Sequence, residues 1–207
     1  MEQIKARVEV AIPGARLELV RNGSPSEQHS LWVDNDHAFA VARFLRDDPA
    51  LKLDYDSNVT AVDWLDTVLK ETTKTKQVID GIERDIEQTV ERKRPGYLEV
   101  VHHLYSMELK HGPVILRLRT ENRTDRNHVP SFTPVWRGAE FQEREAYDLY
   151  GIIFDGHPDL RRILMWDEFT DFPMRKDYVE PDDFEYEPTP HDEVLERAKQ
   201  HTVQQVK

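Results

Sequence analysis

The chain has 207 residues, 38% hydrophobic and 33% charged, with a formal net charge of −12 and no cysteine. That length supports one domain with appendages and a real core, while the acidic balance repels nucleic acid at long range and no apolar run approaches the roughly 20 residues that cross a bilayer. Without cysteine there are no disulfides and no thiolate ligands for iron–sulfur clusters or structural zinc; the N-terminus, lacking a continuous apolar segment, gives no expectation of a signal peptide.

In chain order, residues 16–21 (RLELVR) alternate and predict a first strand. Residues 22–26 form a turn or loop, and Leu31-Trp32-Val33 a second strand. Asp34 or Asn35 is placed to cap a helix through Ala38, Val41, Ala42 and Leu45, which share one helical face, ended by Asp47-Asp48-Pro49. Residues 51–55 (LKLDY) alternate again and predict a strand. Residues 67–94 are rich in Lys, Glu, Asp and Thr; Ile79, Ile82, Ile86 and Val90 are spaced 3, 4 and 4 apart, which predicts a helical insertion over 67–96 with a thin apolar stripe, ended by Pro95-Gly96.

Residues 97–109 and 114–120 read as an antiparallel hairpin joined by Lys110-His111-Gly112-Pro113. His102 and His103 are adjacent on the first of these strands, so one faces the core and the other solvent or a partner. Residues 129–132 are extended. Thr133 is an N-cap candidate with Pro134 at the first helical position; the helix runs to Tyr150, and Gly151 suits the left-handed position beyond it. Residues 179–207 are expected as an extended acidic C-terminal tail, with a short helix at 194–200. The sum is an α+β fold, a mostly antiparallel sheet with helices packed on it, in a domain of residues 1–178.

The chemistry is concentrated in residues 143–178, where charges of both signs sit between aromatics and turn residues. Glu140, Glu143, Glu145 and Asp148 lie on one helix, but a carboxylate-bridged metal pair needs Glu-x-x-His motifs that are not there. These acids are expected to pair with Arg144, Arg161, Arg162 or Arg175. His157 with Asp155 and Asp159 is the most metal-like group, yet Asp159 suits a turn cap as well. No Gly-x-Gly-x-x-Gly, Walker or Gly-x-Ser-x-Gly sequence occurs. Arg161-Arg162 and Arg175-Lys176 are compact cationic points whose planar guanidinium forks suit partner carboxylates. Trp136, Tyr147, Tyr150, Phe154, Trp166, Phe169, Phe172 and Tyr178 crowd the same region; most are expected in the core, and the excess around a charged, turn-rich segment also fits interface anchors.

Glu143-Arg144-Glu145, Tyr147-Asp148, Gly151-Ile152, Phe154, the run Gly156-His157-Pro158-Asp159-Leu160-Arg161-Arg162-Ile163-Leu164, and Pro173 with Arg175-Lys176-Asp177-Tyr178 closely resemble the C-type subunit family of NADH-quinone oxidoreductase, the thirty-kilodalton subunit of respiratory complex I. Upstream, residues 60–64, 100–106 and 129–131 resemble it too, so the likeness runs from about Leu31 to Tyr178; residues 67–96 are longer than the family's usual connection. The resemblance implies a non-catalytic peripheral-arm subunit on the cytoplasmic side of the membrane (the matrix side in mitochondria). It would pack against the quinone-site, D-type subunit and neighbouring iron–sulfur subunits, and bind no cofactor, because FMN and iron–sulfur clusters lie in the partners. The assembly passes electrons from NADH to quinone and translocates protons. The implied subunit interface comprises Glu143, Arg144, Glu145, Asp148, His157, Pro158, Asp159, Arg161, Arg162, Arg175 and Lys176, and Arg161→Ala or Arg175→Ala is expected to weaken assembly more than folding. Alternatives are a homologous subunit of a membrane-bound hydrogenase or related oxidoreductase and, from another class, a metal-dependent hydrolase using Asp155, His157, Asp159 and Glu143.

Overall fold

The computed structural model describes residues 1–79 and 82–179, with residues 69–79 and 82–90 as backbone only. In chain order the elements are α1 (Glu2–Ala11), β1 (Leu17–Val20), β2 (Ser30–Val33), α2 (Asn35–Asp47), β3 (Tyr55–Trp64), β4 (Thr67–Ile79), β5 (Ile82–Arg94), β6 (Tyr97–Ser106), β7 (His111–Arg119), β8 (His128–Pro130), α3 (Ala139–Tyr150) and β9 (Ile153–Asp155). Five strands form one sheet in the order β1-β2-β7-β6-β3. The β2–β7 pair is parallel and the other three are antiparallel, so the sheet is mostly antiparallel as expected.

Alternation sorts the sheet into two faces. Leu98, Val100 and Leu104 of β6, with Leu116 and Leu118 of β7, point to one side and join the core. The helices supply the rest: Val8 of α1, Ala38, Val41, Ala42 and Leu45 of α2, and Ala139 and Ala146 of α3. The α2 residues recur at helical spacing, and each fully buried leucine in the cluster contributes about 2 kcal/mol. Asp34 caps α2, its Oδ1 accepting from the His37 amide at 3.2 Å, while Oδ2 accepts from the Arg16 amide at 2.7 Å and ties the helix start to the entry of β1. His102 is fully buried with Nδ1 2.7 Å from Asp56 Oδ2, and His103, on the opposite face, is partly exposed.

Four expectations are corrected. Residues 51–55 are not a strand: Leu51 and Leu53 are buried, the Leu53 amide bonds back to the Leu45 carbonyl at 3.0 Å, and the Leu53 carbonyl accepts from Trp136 Nε1 at 2.7 Å. With both backbone groups so engaged, pairing starts only at Tyr55. Residues 67–94 are not a helix but an antiparallel ribbon, β4 against β5, paired from Thr67↔Arg94 to Ile79↔Ile82 and forming a two-stranded sheet of its own. Spacings of four residues satisfy a strand's period of two as well as a helix's 3.6, so the stripe does not separate the two. The connection between β6 and β7 falls at residues 107–110 rather than at Lys110–Pro113. Finally, α3 starts at Ala139, after turns over residues 133–138; Thr133 does not cap it but gives its hydroxyl to Glu143 at 3.1 Å. Gly151 does terminate it in the left-handed conformation, φ +74°. The acidic tail beyond 179 and the helix at 194–200 lie outside the described residues.

Candidate functional site

The site is built on α3, a short helix whose two inward carboxylates do different work. Glu143 is fully buried. Its Oε2 accepts from the Ser131 hydroxyl at 2.5 Å and the Thr133 hydroxyl at 3.1 Å, and Oε1 from the Phe132 amide at 2.7 Å. The loop that enters α3 is thus folded onto a side chain within the helix. Burial raises the Glu143 pKa; the Ser131 and Phe132 bonds and the nearby His102 and His157 oppose the rise without cancelling it. The His157 ring lies against the same carboxylate at 4.0 Å and contacts the Glu140 carbonyl at 3.0 Å.

Asp148 faces the segment that follows β9. Its Oδ2 accepts three successive amides, Ile163 at 3.0 Å, Leu164 at 2.7 Å and Met165 at 2.8 Å, and Oδ1 accepts from Arg162 Nη1 at 2.6 Å. Burial pushes its pKa up, but the three amides and Arg162 prevail and the net shift is downward. Arg144 donates to the carbonyls of Arg161 and Arg162 at 3.2 and 3.1 Å. Further along, the Met174 amide reaches the Leu149 carbonyl at 3.1 Å, Arg175 Nε the Tyr150 carbonyl at 2.7 Å, and the Lys176 amide Asp63 Oδ2 at 2.8 Å. Arg123 bridges Asp177 and Asp63, and those bonds raise its pKa. Residues 157–178 therefore form a strap without regular structure, its backbone fastened to α3 and to the end of β3.

With its polar groups turned inward, the strap turns apolar ones outward. Leu164 is 60% exposed, Trp166 52% and Met174 53%, and Phe141 of α3 joins them at 60%. Cations flatten against rings around this patch: Arg162 lies over Phe169 and Phe172, Arg175 over Phe172 at 4.5 Å, and Arg144 over Phe141. A soluble monomer rarely orders so much irregular chain to display large apolar side chains; such a patch marks a docking surface.

The eleven residues expected at a subunit interface divide accordingly. Glu145, Pro158, Asp159, Arg161 and Lys176 are exposed. Glu143, Asp148 and the His157 ring have no exposed side-chain surface, and Arg144 is buried, so these four support the face from beneath. Arg162 and Arg175 are partly buried and spend donors on the backbone of the strap and of α3; burial and the neighbouring Arg123 lower the Arg175 pKa. Of the expected acid–arginine pairs, Asp148–Arg162 forms, whereas Glu143 bonds hydroxyls and an amide instead. Asp155 pairs with His128 at 2.9 Å and Asp159 with Arg161 at 3.0 Å, and no three metal-ligating side chains gather among the described residues; the four residues of the hydrolase alternative do not converge on one point. Sequence reading missed Asp63, Arg123, Ser131 and Thr133 as fasteners, because they carry no local pattern. The patch was signalled by Ile163-Leu164-Met165-Trp166, four consecutive apolar residues within a charged run.

Residues 31–184 match the model of the respiratory-chain NADH dehydrogenase, 30 Kd subunit, family. The C-type NADH-quinone oxidoreductase subunit of Saccharopolyspora erythraea is 35% identical over 175 residues, covering 80% of this chain and 59% of that protein. Its counterpart in Roseiflexus castenholzii is 33% identical over 174 residues, covering 84% and 81%. A C/D-type NADH-quinone oxidoreductase subunit of Phocaeicola vulgatus is 46% identical over 83 residues, 40% of this chain and 16% of its own length. The chain thus spans less than two thirds of the Saccharopolyspora relative. In fold, it matches a chain of the membrane-bound sulfane sulfur reductase, an archaeal respiratory membrane complex, with a TM-score of 0.50 at 19% identity over 96% of this chain and 91% of that one. The family match takes in β2 to β9, α3 and the whole strap: the chain belongs to the respiratory-chain NADH dehydrogenase 30 Kd subunit family.

Proposed function

We propose that the chain is a non-catalytic, peripheral subunit of a membrane-associated, proton-translocating NADH-quinone oxidoreductase. It fixes the positions of the quinone-site subunit and neighbouring iron–sulfur subunits on the cytoplasmic side of the membrane. FMN and iron–sulfur clusters in those partners carry electrons from NADH to quinone, and this chain holds no cofactor. The observation that carries the reading is the strap: two buried carboxylates, Glu143 and Asp148, fasten an irregular segment that displays Leu164, Trp166 and Met174 outward. A rigid apolar face of this kind gives a neighbour a defined seat without supplying reactive groups. The C/D-type relative supports a D-type protein as one such neighbour, since both designations belong to a single polypeptide there.

Isolation of the tagged full chain from its native membrane tests this. It is expected to bring with it a larger assembly containing flavin and iron–sulfur clusters, and Leu164→Asp is expected to lower that recovery by about tenfold or more, a change typical of an interface anchor. Recovery only as a free monomer overturns the reading. A second reading, the equivalent position in a related respiratory membrane complex, is favoured by the fold shared with the sulfane sulfur reductase chain. The electron donor accepted by the purified assembly separates the two.

A further inference from the structure

Beyond the Trp64↔Tyr97 pair, β4 and β5 form a two-stranded sheet of their own. Directly opposite residues of an antiparallel pair share a face, and successive residues change face. The register from Thr67↔Arg94 to Ile79↔Ile82 therefore sorts the ribbon's sequence into two sets. All four lysines of the ribbon, Lys70, Lys74, Lys76 and Lys93, fall on one face, together with Glu83, Asp85, Glu87 and Glu91. Three of those lysines stand directly opposite an acid, as Lys70↔Glu91, Lys74↔Glu87 and Lys76↔Asp85. This face is balanced within itself, and opposite charges directly across a strand pair stabilise a ribbon without any partner.

The other face has a different composition. It carries all three arginines of the ribbon, Arg84, Arg92 and Arg94, no lysine and one acid, Glu71, among Leu69, Ile79, Ile82, Ile86 and Val90. Apolar residues with arginine, and without lysine or acids, are what the centre of a protein–protein contact holds. The outer half shows this most clearly. Glu71 is diagonal to Arg92 across the pair, whereas Arg84 stands opposite Gln77, with Thr75 and Ile79 diagonal to it and Ile82 and Ile86 on either side along its own strand. No acid occupies a neighbouring position on the face of Arg84.

Three occupants differ in how well they suit this face. A second copy of the chain would set the patch around Arg84 against itself, since a two-fold contact repeats one surface on both sides, and the fourteen positions of the face fall short of the roughly 20–30 residues a side of a stable interface. A lipid surface finds no Trp or Tyr on the ribbon for the headgroup level, and anionic lipid repels a chain of net charge −12. A neighbouring subunit needs no such area from the ribbon alone, because the strap ends beside the ribbon's root, where Lys176 Nζ lies 5.6 Å from the Trp64 ring. We propose that this face of the ribbon docks on a neighbouring subunit of the assembly, against an apolar surface that carries a carboxylate for Arg84. The proposal rests on the scaffold reading and extends the seat offered by the strap along the ribbon.

The test uses the full chain in its native assembly, with the photo-crosslinking residue p-benzoylphenylalanine in place of Ile86 on this face or of Thr89 on the other. The expected product, read by peptide mass spectrometry, joins position 86 to another subunit, while position 89 gives little or none. Cross-links to a second copy, to lipid or to the chain's own domain, equal yields from the two faces, or none from an intact assembly, overturn the proposal. Arg84→Glu gives an independent reading: recovery of the cross-linked subunit is expected to fall about tenfold, as for an interface arginine, while Glu83→Lys, the adjacent charge reversal on the other face, leaves it unchanged. Equal losses from the two reversals, or no loss from Arg84→Glu, count against it. Failure of the scaffold reading looks different, because the unsubstituted chain would then bring no partner at all.

Discussion

At the residue scale, the two carboxylates of α3 are opposite designs. Asp148 is held ionised by three amides and Arg162. With its pKa below the unfolded value of about 3.9, its contribution to stability is fully present above that value and lost as pH falls through the folded one. Asp148→Asn is expected to cost about 2–4 kcal/mol at neutral pH and to flatten the acid limb of stability against pH, both measurable by urea unfolding across pH. Glu143, with its pKa raised, has the reverse sign: its contribution is present below the unfolded value of about 4.3 and declines as pH rises through the folded one. Glu143→Gln keeps an acceptor for the Phe132 amide and removes the decline, whereas Glu143→Ala leaves two hydroxyls and that amide unpaired and is expected to cost about 3 kcal/mol in the same measurement. An alanine variant as stable as the glutamine one would show that these bonds do not hold the loop.

At the scale of elements, the α3–strap junction and the ribbon make contrasting demands. At Gly151, φ is +74°, and a Cβ there would lie 2.6 Å from the Phe172 ring and 2.8 Å from Arg175 Nη2. Gly151→Ala is therefore both strained and crowded; it is expected to cost more than about 1 kcal/mol and to speed hydrogen exchange of the Ile163, Leu164 and Met165 amides. Arg175→Ala belongs here too. Because its Nε bonds the Tyr150 carbonyl and its plane covers Phe172, it is expected to loosen the strap in the isolated chain, unlike the exposed Arg161. The ribbon β4–β5 continues outward from the Trp64↔Tyr97 pair as two 13-residue strands, roughly 40 Å long at strand rise. An isolated two-stranded ribbon is marginally stable, so replacing residues 67–94 with a short turn is expected to change the unfolding free energy of the remaining domain by less than about 1 kcal/mol. A larger loss would mean that the ribbon supports the core.

At the scale of the whole molecule, the proposed scaffold role places function in a docking face. The strap patch is apolar. Association through it is expected to be insensitive to salt, because screening, which acts within about 8 Å at physiological ionic strength, weakens charge pairs and not apolar contacts. Titrating the isolated assembly with salt while following which proteins it retains checks this. Arg161→Ala, at a side chain 68% exposed and paired with Asp159, is expected to leave thermal unfolding unchanged and to weaken assembly modestly.

The sequence alone determined the features set by local physics. Strand alternation in residues 97–120, the cap and apolar face of α2, and Gly151 beyond α3 each follow from short-range pattern, and the run from Glu143 to Tyr178 carried the family likeness. Where one spacing served two periods, as in Ile82, Ile86 and Val90, pattern did not choose, and strand pairing decided. Only the tertiary structure showed that Glu143 and Asp148 are interior fasteners, that Asp63 and Arg123 close the strap, and that Trp32, Tyr97, Arg117 and Arg119 share one face of the sheet. Those relations join residues tens of positions apart, and burial, which settles whether a charge braces the fold or meets a partner, is a property of the assembled chain.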